Sequence, residues 1–180
     1  MNEILYHTKF LDLKKTISKS GNDWYYAHRP NAKGVVIILP MTEDEILFIK
    51  EERPPIQAEG LGVYTIGLAA GLVGDERLGE SIEDAIKSEL LEETGLIAES
   101  IEIKSNSVAS SAGCLSEISS IAIAHIVDKT PQQKPVNDGG IIVDRVWVNK
   151  KDVHSWLKKM EAKGNILTAQ ALAALFYMYE

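Results

Sequence analysis

Cysteine is almost absent. Cys114 stands alone, so no internal disulfide can staple the chain. A single thiol suits a reducing compartment. No histidine lies near it in sequence, which argues against a catalytic thiol. Long apolar runs are also missing; none approaches the roughly 18–20 residues that cross a bilayer. The start, MNEILYHTKFLDLKK, lacks the signal-peptide pattern, so a cytoplasmic protein with no membrane partner is expected. The four histidines, His7, His28, His125 and His154, are scattered, and none has a partner at metal-ligand spacing. Cations are outnumbered: 19 Lys and Arg face 26 Asp and Glu, a net charge of -7. That balance argues against a nucleic-acid partner. An anionic ligand would have to be drawn by local cations or a metal rather than by the overall field.

What is present suffices for one folded unit. Hydrophobic residues make up 45% of 180, enough to bury a core in a single domain, with at most a small appendage. The organising stretch is Gly71–Leu96, GLVGDERLGESIEDAIKSELLEETGL. Ser81 is an N-cap candidate with Asp84 three residues on. Gly95 suits a left-handed C-terminal position. The spacing therefore predicts a helix over Ile82–Thr94. At about 100° per residue, Ile82, Ala85, Ile86 and Leu90 form its apolar stripe. Glu89 and Glu93 fall within that stripe, and Glu92 lies at its edge. Carboxylates turned toward a core cost several kcal/mol unless compensated, and like charges one turn apart repel. A divalent ion with hard oxygen ligands, Mg²⁺ or Mn²⁺, answers both problems.

These residues resemble the Nudix box: Gly, five residues, Glu, seven residues, then Arg-Glu-apolar-x-Glu-Glu-x-Gly-apolar. Glu80, Glu89, Leu90, Glu92, Glu93, Gly95 and Leu96 match at the family spacing. Gly74 fits the first glycine by count. The favoured alignment instead takes Ala70-Gly71-Leu72-Val73 as the Ala-Gly-apolar lead of the ADP-sugar branch, with a three-residue insertion before Gly79-Glu80. The box arginine, which usually orients a metal-binding glutamate, is Ser88 here, and Lys87, Arg77 or another cation would have to compensate.

The resemblance implies an α/β fold, a Nudix-type α/β/α sandwich with a mixed sheet. It spans 34–180, behind a small β-rich extension, 1–33, that builds a homodimer. It implies Mg²⁺, with Mn²⁺ the other candidate, held by Glu89, Glu92, Glu93 and the Ala70 carbonyl. Arg53, with Glu52 beside it, stands where the branch has a substrate-contacting arginine. ASSAGCLSE resembles the branch's Ser-Pro-Gly-x-x-x-Glu loop. Ala112 replaces its proline, while Gly113 and Glu117 remain as candidate substrate and catalytic residues. The branch often carries a late catalytic acid, for which Asp138 is the nearest candidate and Asp144 the second. Tyr26, with Trp24 and Tyr25, offers a face for a base, or else packs alternately along a strand.

In chain order, Ile4–Leu13 and Trp24–His28 read as strands, with Ser18–Asp23 as their turn. GVVIIL and ILFIK read as a central hairpin. Ile101–Val108, Ile118–Val127 and Val146–Val148 read as further strands. Asp152–Lys163 and Ile166–Tyr179 read as helices, and KTPQQKPVNDGG as a loop.

The implied function is Mg²⁺-dependent hydrolysis of a nucleoside diphosphate linked to another group, with ADP-ribose or a nucleotide sugar as substrate. Two alternatives stand beside it. One is a nucleoside triphosphate pyrophosphohydrolase. The other, suggested by Ser88 and the missing proline, is a Nudix domain that senses a nucleotide sugar without cutting it.

Overall fold

The structure, a computed structural model, describes residues 2–75, 79–135 and 141–179. The chain opens with β1 (Glu3–His7), β2 (Asp12–Ile17) and β3 (Asp23–His28), an antiparallel three-stranded sheet. Ile4–Leu13 is therefore two strands, not one. Thr8 causes the break. Its Oγ1 accepts from the N–H groups of Phe10 and Leu11 at 3.2 and 2.8 Å, and donates to the Leu11 carbonyl at 2.7 Å. Such local side-chain bonds compete with a strand ladder. The apolar residues on either side masked this one.

Two strands then diverge. β4 (Gly34–Met41) lies between β7 (Ala69–Val73), antiparallel, and β9 (Ile118–His125), parallel. β5 (Glu45–Glu52) lies between β6 (Tyr64–Gly67) and β10 (Ile142–Asn149), both antiparallel. β4 and β5 pair with each other only at Met41 and Ile46. The expected central hairpin is thus a corner that sends its strands into two halves of one mixed sheet. β8 (Ser100–Ala109) pairs with β9, and β11 (Ile166–Leu167) runs parallel to β6.

Period-two alternation explains the layers. Val36 and Ile38 of β4, with Leu47 and Ile49 of β5, face one core, and α2 (Ile82–Thr94) closes it with Ala85, Ile86 and Leu90. Burying Ile86 and Leu90 contributes roughly 1.5–3 kcal/mol each. Ile37, Leu39, Ile46 and Phe48 face the opposite core, closed by α3 (Val153–Ala162) and α4 (Ala169–Leu175). Helices on both faces make the expected α/β/α sandwich. α4 is shorter than the sequence suggests. Ile166 and Leu167 are drawn into the sheet, and Thr168 restarts the chain as an N-cap, its hydroxyl accepting from the Ala171 N–H. A short helix, α1 (Pro54–Ala58), follows β5, with its prolines at the first turn where no N–H is needed.

Candidate active site

α2 has the bounds its caps predict. The Ser81 hydroxyl accepts from the Asp84 N–H at 3.1 Å, and Gly95 adopts φ 76°. The helix lies against β7, and that packing sets the glutamates. Glu93 Oε2 accepts from the Ala70 N–H at 3.0 Å. Burial pushes the Glu93 carboxyl up to about 7. The Ala70 N–H opposes the shift, Glu51 adds to it, and Arg53 and Arg145 pull against it. Glu89 is half-buried and lies against Gly71. A Cβ built at Gly71 would sit 1.8 Å from Glu89 Oε1. No side chain larger than hydrogen fits there while Glu89 keeps this pose. Glu80 does different work, accepting from the Gly74 N–H at 3.0 Å and so fastening the turn before the helix.

Glu89, Glu92 and Glu93 line a cavity of about 230 Å³ with Asp75, Glu51, Arg53 and Ala70. Its donors are hard oxygens, the set that suits Mg²⁺ or Mn²⁺. Glu93, whose carboxyl burial pushes up, marks a place where a cation would relieve the burial of negative charge. The residues present therefore fit a divalent ion. Among the described residues, no three acidic, histidine or cysteine side chains are gathered closely enough to hold one as they stand.

A second cavity, of about 380 Å³, adjoins the first and shares Glu51, Arg53, Ala70, Gly71 and Leu72 with it. Two ion pairs face it. Arg53 Nη2 lies 2.9 Å from Glu51 Oε1, and Arg29 Nε donates to Glu117 Oε2 at 2.8 Å. Val35, Ile37 and Leu68 supply apolar wall, and Thr168 and Gln170 supply polar wall.

Arg53, Glu117, Ala70 and the three glutamates thus converge. Other expected residues lie elsewhere. Glu52 sits opposite Tyr64 and lines neither cavity. The Gly113 carbonyl accepts from the Trp24 indole at 2.8 Å, and Tyr26 pairs across to Lys14. Asp144 is exposed and accepts from the Arg145 N–H. Asp138 and Arg77 lie outside the described residues. Lys87 pairs with Glu83 on the exposed side of the helix. The cations found beside Glu93 are instead Arg53 and Arg145 of β10, and the Arg145 Nε donates to the Glu93 carbonyl.

Arg29, Glu51 and Arg145 went unnoticed in the sequence. Glu51 had a signal: it shares the strand parity of the core-facing Leu47 and Ile49. Arg29 and Arg145 had none, because their partners lie 88 and 52 residues away.

The family of NUDIX domains matches residues 30–170. The chain belongs to the Nudix family. No curated relative matches it by sequence. Among solved structures it is similar to an ADP compounds hydrolase, with a TM-score of 0.70 at 19% identity. That match covers 99% of this chain and 90% of the other. This Nudix chain therefore shares that protein's fold nearly end to end. No helix among its described residues is long and apolar enough to cross a membrane.

Proposed function

We propose that this Nudix chain hydrolyses the diphosphate bond of a nucleoside diphosphate linked to another group, ADP-ribose or a nucleotide sugar, with Mg²⁺. The observation that carries this reading is the adjoining pair of cavities. One is lined by acidic side chains from β5, α2 and the loop after β7, and the other is walled by paired charges. The solved ADP compounds hydrolase with this fold supports the same substrate class.

Glu89, Glu92, Glu93 and the Ala70 carbonyl would hold the ion. Bound there, Mg²⁺ supplies charge neutralisation at phosphate and acidifies water. The chain's own residues do the rest. Arg53, at the junction of the cavities, binds phosphate oxygen and fixes the diphosphate between them. In the reaction a water oxygen bonds to one phosphorus, the bridging P–O bond breaks, and a carboxylate takes the water proton. Two phosphomonoesters result. Ala70 N–H fixes Glu93, and β7 fixes Ala70, so the acid is placed by the sheet.

The test is a substrate panel with Mg²⁺ and product identification: ADP-ribose, nucleotide sugars, dinucleoside polyphosphates and nucleoside triphosphates. AMP and ribose 5-phosphate from ADP-ribose are expected. Inorganic pyrophosphate from triphosphates would move the chain to the pyrophosphohydrolase class. Binding without turnover at saturating Mg²⁺ would make it a sensor.

We also infer that residues 1–33 build a homodimer. Cross-strand register puts Tyr6 opposite Leu13 and Lys15 opposite Tyr25, so these residues share one face with Ile17. Tyr6, Leu13, Ile17 and Tyr25 are all exposed on it, with Tyr6 at 66%. Four exposed apolar side chains around the Lys15–Asp23 ion pair make an association surface, and a second copy offers the same stripe. Size-exclusion with light scattering should give a dimer, and Ile17→Glu a monomer with unchanged far-UV circular dichroism. A wild-type monomer at tens of micromolar would refute this assignment.

A further inference from the structure

Glu51 is buried, only 5% exposed, yet it lines both cavities. Its Oε1 is occupied. Arg53 Nη2 sits 2.9 Å away, and the Thr65 hydroxyl donates to it from 3.3 Å. Both partners end on that one oxygen. No buried side-chain oxygen among the described residues lacks a partner, so Oε2 is not enclosed. It is left accessible on a residue that borders both cavities. Gly67 lies beside the carboxylate, where a Cβ would sit 3.6 Å from Oε1. The strand around Glu51 is pinned on both sides, to Thr65 and to Ile142. The carboxylate is therefore an oriented acceptor on a rigid element.

The cavity in front of it says what it would accept. Its two guanidiniums are balanced by two carboxylates, so once Arg53 holds the diphosphate no cation is left over for a terminal phosphate. Among the described residues, no aromatic side chain lines it to stack a base. A wall of both donors and acceptors beside apolar residues suits an uncharged, hydroxyl-rich group. We propose that Glu51 is a specificity residue. Its Oε2 accepts a hydrogen bond from a hydroxyl of the sugar joined to the diphosphate, seated in the 380 Å³ cavity. This rests on the diphosphate-hydrolase reading above. A site built around a buried acceptor discriminates strongly, because a ligand without the hydroxyl leaves that acceptor desolvated and unpaired.

The experiment compares kcat/KM for ADP-ribose with that for an ADP alkyl ester that has no hydroxyls on the alkyl group. It is run on the full chain and on Glu51→Gln and Glu51→Ala. Wild type should prefer the sugar compound, and both variants should shrink that preference by roughly 10–100-fold, mainly through KM for the sugar substrate. A non-hydrolysable, methylene-bridged ADP-ribose gives a second readout without turnover: its Kd for Glu51→Gln should weaken by a similar factor. A preference unchanged in both variants overturns the proposal. So does an equal loss on both substrates through kcat, which would mark a catalytic or purely structural acid. A wild type that cuts neither compound and binds no analogue would instead refute the parent reading, and the Glu51 role with it.

Discussion

Glu93→Gln should abolish hydrolysis and at the same time make the metal-free protein more stable at neutral pH. Activity should fall by at least ~10²–10³-fold, the scale on which single preorganised electrostatic groups act. The stability gain follows from linkage. Burial raises the Glu93 carboxyl from its ordinary 4.5 to about 7 in the folded protein. Between those values the folded state holds a proton that the unfolded state has lost. Its stabilising contribution is complete below the unfolded value and disappears as pH climbs through about 7. The full swing is about 3 kcal/mol. Glutamine cannot ionise, and its amide oxygen can still accept from the Ala70 N–H. Urea unfolding in EDTA at about pH 5 and pH 8 should therefore show a falling wild type and a flatter variant. A variant no more stable than wild type at the higher pH would mean that Glu93 is better solvated than its burial implies. Adding Mg²⁺ should reverse the ranking, because the wild type, with its full ligand set, gains more binding energy.

Gly71→Ala should uncouple the fold from the site. The new Cβ would lie 1.8 Å from Oε1 and 1.9 Å from Cδ of Glu89. The clash falls on the far end of a flexible side chain, so the carboxylate swings away and the backbone stays. Thermal stability should change little. Mn²⁺ affinity and kcat/KM should each drop ~10–100-fold, as when an oriented ligand is released from its pose. The Gly71→Ala, Glu89→Ala double variant separates causes. Once Glu89 is truncated, the atoms nearest the methyl added by Gly71→Ala are gone, and it should cost no further metal affinity. Wild-type metal affinity in Gly71→Ala alone would show that Glu89 is not held where the cavity needs it.

The sequence was most legible where causes are local. The bounds of α2 follow from Ser81 and Gly95 within a turn of each end, and the acidic stripe follows from 3.6-residue periodicity. It was least legible where partners are remote. β4 and β5 look like one hairpin because the turn between them is short, yet β7, β9, β6 and β10 claim nearly all of their hydrogen bonds. Ile166 and Leu167 read as helix because their neighbours do, but an open edge of β6 takes them. Trp24 and Gly113 looked like contributors to ligand binding. They bond to each other.

That last bond is one of several. Ala27 N–H donates to the Cys114 carbonyl, Ser116 N–H to the Ala27 carbonyl, and the Arg29 guanidinium to Glu117, which faces the larger cavity. The wall of that cavity is therefore sewn to the three-stranded sheet rather than to the sandwich alone. If two copies meet through that sheet, self-association and ligand capture draw on one set of contacts, and if ordering them for one favours the other, the strengthening is by the same factor in both directions. Apparent affinity for substrate would then rise with protein concentration, and dilution would weaken the enzyme before any part of it unfolds.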